Sequence, residues 1–394
     1  MNKNKKLIPT LRFPEFEKEE EWEEKTLGEV TENVMYGMNA AAVEYDGQNK
    51  YIRITDIDEN SRSFLPDPLT SPDGPLEEKY IVNVGDLLFA RTGASVGKSY
   101  LHQKEDGKIY FAGFLIRFAI KNVVPYFIYA QTLTEQYQKW VSKTSMRSGQ
   151  PGINAEEYKS YPIVLPLTIE EQKKIASCLS SLDEVITANN QKLEQLKEHK
   201  KGLMQNLFPQ EEEMEPKYRF PEFVNDGEWV DKKLEELLEI GNGKDYKHLG
   251  KGEIPVYGSG GYMLSVDDYL YEGDSACIGR KGTIDKPIFL TGKFWTVDTL
   301  FYTHSFNDCI PKFIYYIFQN INWLKHNEAG GVPSLSKSNI NKIKSIIPKL
   351  NEQQKIVDIL SVLDELITSQ MDKIDQLKLH KKGLMQGLFP KMND

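Results

Sequence analysis

An internal repeat restricts this chain's architecture more than any other feature. Residues 171–209 and 352–390 are identical at 25 of 39 aligned positions, at an offset of 181. A shorter marker, Arg12-Phe13-Pro14-Glu15-Phe16, recurs as Arg219-Phe220-Pro221-Glu222-Phe223 at an offset of 207, and Trp22 and Trp229 keep that offset. The order is marker, long unlike segment, repeat, then the same three again. Two half-molecules are present, and their repeated segments are far more alike than the segments between.

Each repeat reads as one long helix. Ile175, Leu179, Leu182, Ile186, Asn189, Leu193, Leu196, Lys200, Leu203 and Leu207 follow strict 4-3 spacing. Ile356, Leu360, Leu363, Ile367, Gln370, Ile374, Leu377, Lys381, Leu384 and Leu388 do the same. A heptad seam held this long is the mark of a coiled coil. Asn189 with Gln370 and Lys200 with Lys381 place polar residues at matching seam positions, where they lower stability but set register. Thr168-x-x-Glu171 and Asn351-x-x-Gln354 read as capping boxes, and Phe208-Pro209 and Phe389-Pro390 as stops. A helix of roughly 37 residues is about 55 Å long at 1.5 Å per residue. Neither helix buries its seam alone. A homodimeric coiled coil carrying unrelated attachments is the competing reading; matched seams within one chain favour an intramolecular antiparallel pair with a globular domain toward each end.

Bulk properties bound the rest. A chain of 394 residues suggests two or three domains, and 40% hydrophobic and 11% aromatic content indicates real cores. No apolar run approaches the ~20 residues that cross a bilayer. Met-Asn-Lys-Asn-Lys-Lys leads to only Leu7 and Ile8 before Pro9, which is no leader core, so a soluble cytoplasmic protein without membrane contact is expected. Cys178, Cys277 and Cys309 are odd in number and far apart, and the six histidines add no ligand spacing, so neither a metal site nor a disulfide framework is expected.

The net charge of −9 is concentrated: residues 1–24 carry 5 basic and 7 acidic side chains, and residues 210–228 carry 2 and 7. Residues 25–166 hold 15 against 17, and the remaining segments are neutral. An acidic total does not exclude DNA binding, which depends on a local patch. It implies weak non-specific affinity for this chain alone, with basic partners supplying the rest.

The unlike segments mix strand and helix signals. Tyr51–Ile54, Asp86–Ala90 and Tyr110–Ile120 read as strands, and Pro125–Val141 as helix with Phe127, Ile128, Leu133, Tyr137 and Trp140 packing. The second segment repeats the plan more loosely: a short helix at Lys232–Ile240, strands near Ile254–Tyr257 and Ser275–Ile278, and a helix over Pro311–Trp323. Residues 210–216 form a polar linker. Two glycine-rich loops run in parallel, Gly85-Asp-Leu-Leu-Phe-Ala-Arg91-Thr92-Gly93 and Gly273-Asp-Ser-Ala-Cys-Ile-Gly-Arg280-Lys281-Gly282. Each is a strand ending in a basic residue and glycine, suited to offering Arg to a phosphate or a guanine edge.

Gly93-Ala-Ser-Val-Gly97-Lys98-Ser99 invites comparison with a nucleotide-binding loop, but three residues separate its glycines where that motif needs four, and no helical pattern follows. No Asn-Pro-Pro-aromatic methylation motif and no glycine-rich cofactor loop occur. No catalytic constellation is expected.

At this point the chain resembles the specificity subunits of Type I restriction–modification systems over nearly its whole length. The resemblance rests on the two markers, on Tyr51-Ile-Arg-Ile-Thr-Asp-Ile57, on the Gly85–Gly93 loop, on Ile254-Pro-Val-Tyr-Gly-Ser-Gly-Gly261 and on Ile278-Gly-Arg-Lys-Gly-Thr283. The Glu-Gln-x-x-Ile helix openings and the Lys-Lys-Gly-Leu-Met-Gln-x-Leu-Phe-Pro endings complete it. It implies an α+β protein of pseudo-two-fold arrangement, with recognition domains at 1–166 and 210–348 (the latter including the linker) and conserved helices at 167–209 and 349–394. Each domain would read one half of a split, asymmetric site on double-stranded DNA, with the helices setting the unread spacer. Two modification subunits would methylate adenine with S-adenosylmethionine, and restriction subunits would cut with ATP and Mg; this chain would hold no cofactor. By residue type and loop position, Arg91, Thr92, Lys98, Arg147, Ser148 and Gln150 are the expected DNA contacts of the first domain. Tyr257, Ser259, Arg280, Lys281, Ser334 and Lys337 are those of the second.

Overall fold

In the computed structural model the two repeats are helices of 39 residues each, Ile169–Leu207 and Leu350–Leu388, about 58 Å long at 1.5 Å per residue. Residues 6–210 and 213–391 are described. Most of the N-terminal stretch read for a leader, two glutamates of the 210–216 linker and the last three residues lie outside them. Among the described residues no helix is long and apolar enough to cross a membrane.

The chain divides into two compact units, residues 1–189 with 373–394, and residues 190–372. Each unit holds one recognition segment, the first half of the helix that follows it, and the last half of the other helix. In the first unit Ile175 and Leu179 share one apolar core with Met385, Leu388 and Phe389, against which Leu384 packs. In the second, Ile356 and Leu360 share a core with Met204, Leu207 and Phe208. The pairing is therefore antiparallel and within one chain. The seam follows the sequence pattern: Leu193, Leu363 and Ile374 are buried, and Leu182, Ile186, Leu196, Ile367 and Leu377 are half-buried between exposed flanks. Each buried aliphatic side chain contributes roughly 1.5–3 kcal/mol.

The seam lysines are not idle. Lys381 pairs with Asp183 at 2.5 Å in the first unit, and its counterpart Lys200 pairs with Asp364 at 2.6 Å in the second. Both lysines are largely shielded, so the aspartates spare them an unpaired charge in an apolar seam. The capping boxes are corrected. The second helix begins at Leu350, so Asn351 lies inside it, and the Glu171 carboxylate is taken by Arg12 instead of a backbone cap.

The same scaffold is built twice. In the first unit an antiparallel sheet runs in the spatial order Thr31–Tyr36, Leu115–Ile120, Leu87–Ala90, Ser99–Leu101. In the second it runs Glu239–Asn242, Leu300–His304, Ser275–Gly279, Ile288–Leu290. Glu23–Thr26 pairs with Pro162–Leu165, and Val230–Lys233 with Lys344–Ile347. The additions differ. The first unit adds two small pairs, Lys50–Ile52 with Ile109–Phe111 and Ala41–Glu44 with Thr70–Asp73. The second adds a four-stranded sheet ordered Gly261–Val266, Lys251–Gly258, Lys293–Thr296, Tyr271–Glu272.

Three element assignments from sequence are corrected. Tyr110–Ile120 is two strands with a turn at Ala112–Phe114. Pro125–Val141 is two helices, Pro125–Gln131 and Glu135–Thr144. Lys232–Ile240 holds only one helical turn, Leu234–Leu237, between two strands.

The repeated motifs lock each domain to its helix. Arg12 grips Glu171 through Nε and Nη2, both at 2.8 Å; Arg219 grips Glu352 at 3.0 and 2.9 Å. The neighbouring glutamines accept from the start of a domain helix, Val124 N to Gln172 at 3.1 Å and Ile310 N to Gln353 at 2.9 Å. Trp22 packs edge-on against Phe389, and Trp229 against Phe208. Leu11 N donates to Gly387 O at 2.9 Å, and Tyr218 N to Asn206 O at 2.8 Å.

Candidate nucleic-acid interface

Both glycine-rich loops close on a second loop far away in sequence, by the same backbone bonds. In the first unit Arg91 N donates to Phe114 O (3.1 Å), Ile153 N to Arg91 O (2.9 Å) and Gly93 N to Pro151 O (3.0 Å), and Thr92 bridges to Gly152. In the second, Arg280 N donates to Thr299 O (2.8 Å), Leu335 N to Arg280 O (2.9 Å) and Gly282 N to Pro333 O (2.9 Å), and Lys281 bridges to Ser334. Gly93 and Gly282 have φ of +78° and +91°, a conformation that disfavours any side chain. Just beyond, Asn154 and Ser336 cap short helices by accepting from Glu157 N and Asn339 N.

The structure thus brings together residues that sequence could only name separately. Arg91 and Thr92 adjoin the exposed loop carrying Arg147, Ser148 and Gln150, and the Gln150 amide lies beside Gly93. Lys281 adjoins Ser334, the exposed Lys337 opens the short helix that follows, and the Ser259 hydroxyl donates to Lys281 O at 2.9 Å.

The arginines divide sharply. Among the described residues, Arg12, Arg53, Arg62, Arg117, Arg147 and Arg219 each pair with a carboxylate. Arg91 and Arg280 have no carboxylate partner and lie over aromatic rings. Arg91 is 5.0 Å from the Tyr36 ring and 5.9 Å from Phe114; Arg280 is 5.9 Å from Phe301. Two uncompensated guanidiniums at equivalent loop positions suit an anionic or acceptor-rich ligand such as a guanine edge.

Three expected contacts are revised. Lys98 is only 5% exposed; its ammonium donates to Ile57 O at 2.9 Å and pairs with Glu59. It anchors the loop and does not face a phosphate. The strand Ser99–Leu101 follows it directly, so no helix N-terminus completes a nucleotide site. Arg147 is tied to Glu157 and to the carbonyls of Thr144 and Met146. Tyr257 packs partly onto the small core of Cys277, Leu290, Phe294 and Leu300 instead of standing free.

Sequence reading passed over Tyr36 and Phe114, 39% and 60% exposed beside Arg91, and Tyr262, 62% exposed. Tyr262, Lys247 and Ser259 line an open depression of about 740 Å³. A phenylalanine at the tip of the Ala112–Phe114 turn is the signal that could have exposed the first pair. Among the described residues no cluster of His, Cys, Asp or Glu is arranged to hold a metal ion. All three cysteines are unpaired, and burial pushes the Cys277 and Cys309 thiols up to about 12.

Residues 19–198 and 226–379 match the family described as the Type I restriction modification DNA specificity domain. The type I restriction enzyme MjaVIII specificity subunit of Methanocaldococcus jannaschii is 25% identical, over 98% of this chain and 95% of that protein. A putative type I restriction enzyme MjaX specificity subunit of the same organism is 26% identical, over 79% of each chain. In fold, the S subunit of a Type I restriction–modification system from M. genitalium superposes with a TM-score of 0.68 at 17% identity, over 98% of this chain and 100% of that one. A chain solved for complex assembly and conformational transition of the type I R-M system gives 0.53 at 15% identity, over 94% and 97%.

Proposed function

The chain belongs to the family of Type I restriction modification DNA specificity domains, and from that premise we propose that it reads a bipartite, asymmetric site on double-stranded DNA. DNA sequence specificity is its role, and as a specificity subunit it is non-catalytic. Each recognition domain reads one half-site, and the paired helices set the unread spacer. Two modification subunits use the site for adenine methylation with S-adenosylmethionine, and restriction subunits cleave with ATP and Mg, all in the cytoplasm.

The observation that carries this reading is the duplicated loop pair: one scaffold, built twice, presents Arg91 in one unit and Arg280 in the other, the two arginines without a carboxylate. Their surroundings differ, Phe114 in one where Thr299 stands in the other, so the two half-sites differ. Rods of about 58 Å are long enough to serve major-groove faces ~34–36 Å apart per turn. The near-identical helices offer two equivalent surfaces, one for each modification subunit.

The test is methylation mapping of genomic DNA with and without this gene. A split adenine motif should vanish on deletion, and Arg91→Ala and Arg280→Ala should each alter one half of it. A motif unchanged by deletion would overturn the assignment.

A further inference from the structure

We propose that Tyr36 and Phe114 form an aromatic slot that fixes the Arg91 guanidinium for one guanine, making the first domain the stricter reader at that position. This deepens the DNA-reading role proposed above and rests on it. Tyr36 and Phe114 are positioning residues; Arg91 is the group that touches the base.

The slot is specific to the first unit. The Arg91 backbone is held from both sides, by Phe114 O at 3.1 Å and Ile153 N at 2.9 Å. Its guanidinium lies 5.0 Å from the Tyr36 ring and 5.9 Å from Phe114. The Tyr36 hydroxyl accepts from Ala155 N at 3.1 Å, tying that wall of the slot to the Pro151–Asn154 loop that closes on Arg91. Arg91 Nε is buried with no hydrogen-bond partner, and an orphaned buried donor is costly unless a ligand supplies the acceptor. Guanine offers two acceptors, O6 and N7, to a planar guanidinium, and a side chain already packed against two rings has less rotamer freedom to lose on meeting them.

The second unit lacks this device. Arg280 has the same backbone bonds, but it is exposed and has Phe301 alone, at 5.9 Å. Thr299 occupies the place of Phe114. Arg91 has two aromatic rings within 6 Å of its guanidinium; Arg280 has one.

The experiment uses the complex assembled with its modification subunits, and a duplex set in which each position of the site is replaced in turn by the other three base pairs. Initial methylation rates under competition are the readout. The unaltered complex should prefer G·C over the alternatives at one position of the first domain's half-site by roughly 5- to 140-fold, the range one bidentate pair supplies. Phe114→Leu and Tyr36→Leu, which keep apolar bulk but remove the ring faces, should flatten that preference to within about threefold. Every other position should stay as it was. Tyr36→Phe, which keeps the ring, should retain the preference. Three results would overturn the slot: an unchanged preference at every position, a loss spread evenly over both half-sites, or a flattened position that is not G·C. An unaltered complex that methylates no split site would instead sink the DNA-reading role itself.

Discussion

Replacing Arg219 by leucine tests how a marker holds its domain to the helix. The Glu352 side chain is 2% exposed, receives Arg219 at 3.0 and 2.9 Å, and also accepts from Trp229 Nε1 at 3.2 Å. Arg219→Leu strands a buried carboxylate and should cost about 3–5 kcal/mol. Removing both charges, Arg219→Leu with Glu352→Leu, relieves that penalty but orphans the Trp229 indole N–H, leaving a cost of about 1–3 kcal/mol. The first unit provides an internal control. Arg12 and Glu171 are paired just as closely, at 7% and 1% exposure, but Trp22 Nε1 already has no partner. Arg12→Leu with Glu171→Leu should therefore be near neutral. Native-state hydrogen exchange resolved by peptide mass spectrometry reads each unit separately, over residues 218–240 with 350–364 and over 10–27 with 169–182. Equal costs for the two double variants, or a single-variant cost below about 1 kcal/mol, would refute the reasoning.

Three further outcomes are expected. Burial holds the His102 imidazole below its ordinary range, against Asp106, which favours the proton, with Lys50 opposing it and the Tyr100 hydroxyl 3.1 Å away. The unfolded chain thus binds that proton more readily, so stability present above the ordinary imidazole range is lost as pH falls through it; urea midpoints at pH 7 and 5.5 should show this loss, smaller in His102→Gln. Gly97→Ala places a Cβ 2.5 Å from Val141 Cγ1 at a φ of +85°, and should cost about 1–2 kcal/mol from the backbone plus about 1–3 from overpacking. Adding Val141→Ala should recover part of the second contribution in a denaturation midpoint. Inserting one heptad into each helix, within 183–198 and 364–379, lengthens the pair by about 10 Å and should lengthen the recognised spacer by ~3 base pairs in methylation mapping; an unchanged spacer would sink the ruler reading.

The helices and their pairing were legible because a 4-3 seam has one reading over many turns, and the marker repeats were visible though their purpose was not. Arg12 and Glu171 lie 159 positions apart in the chain, so what they do for each other depends on the folded domain between them, which no local pattern encodes. Lys98 misled for the same reason. Flanked by Gly97 and Ser99 it looks like a phosphate ligand, but its partners Ile57 and Glu59 come from a distant loop that only tertiary packing delivers. The first capping box failed because a buried ion pair with Arg12 takes the Glu171 carboxylate, and the second because its helix starts one residue before Asn351. Arg91 and Arg280 could be named from residue type and loop position, and they occupy equivalent places in the two units, while Tyr36 stayed hidden because a tyrosine at a strand end carries no local sign of the side chain it will face.

The contacts that seat each lobe on its rod are almost the same chemical set: arginine on glutamate, a glutamine beneath a helix start, tryptophan against a terminal phenylalanine. The largest differences between the two units, the added small strand pairs in one and the added four-stranded sheet in the other, lie outside this shared set. A lobe that carried its own marker and tryptophan would meet the same glutamate, glutamine and terminal phenylalanine on either helix, so a chimaera with an exchanged lobe is expected to seat without change to the rod.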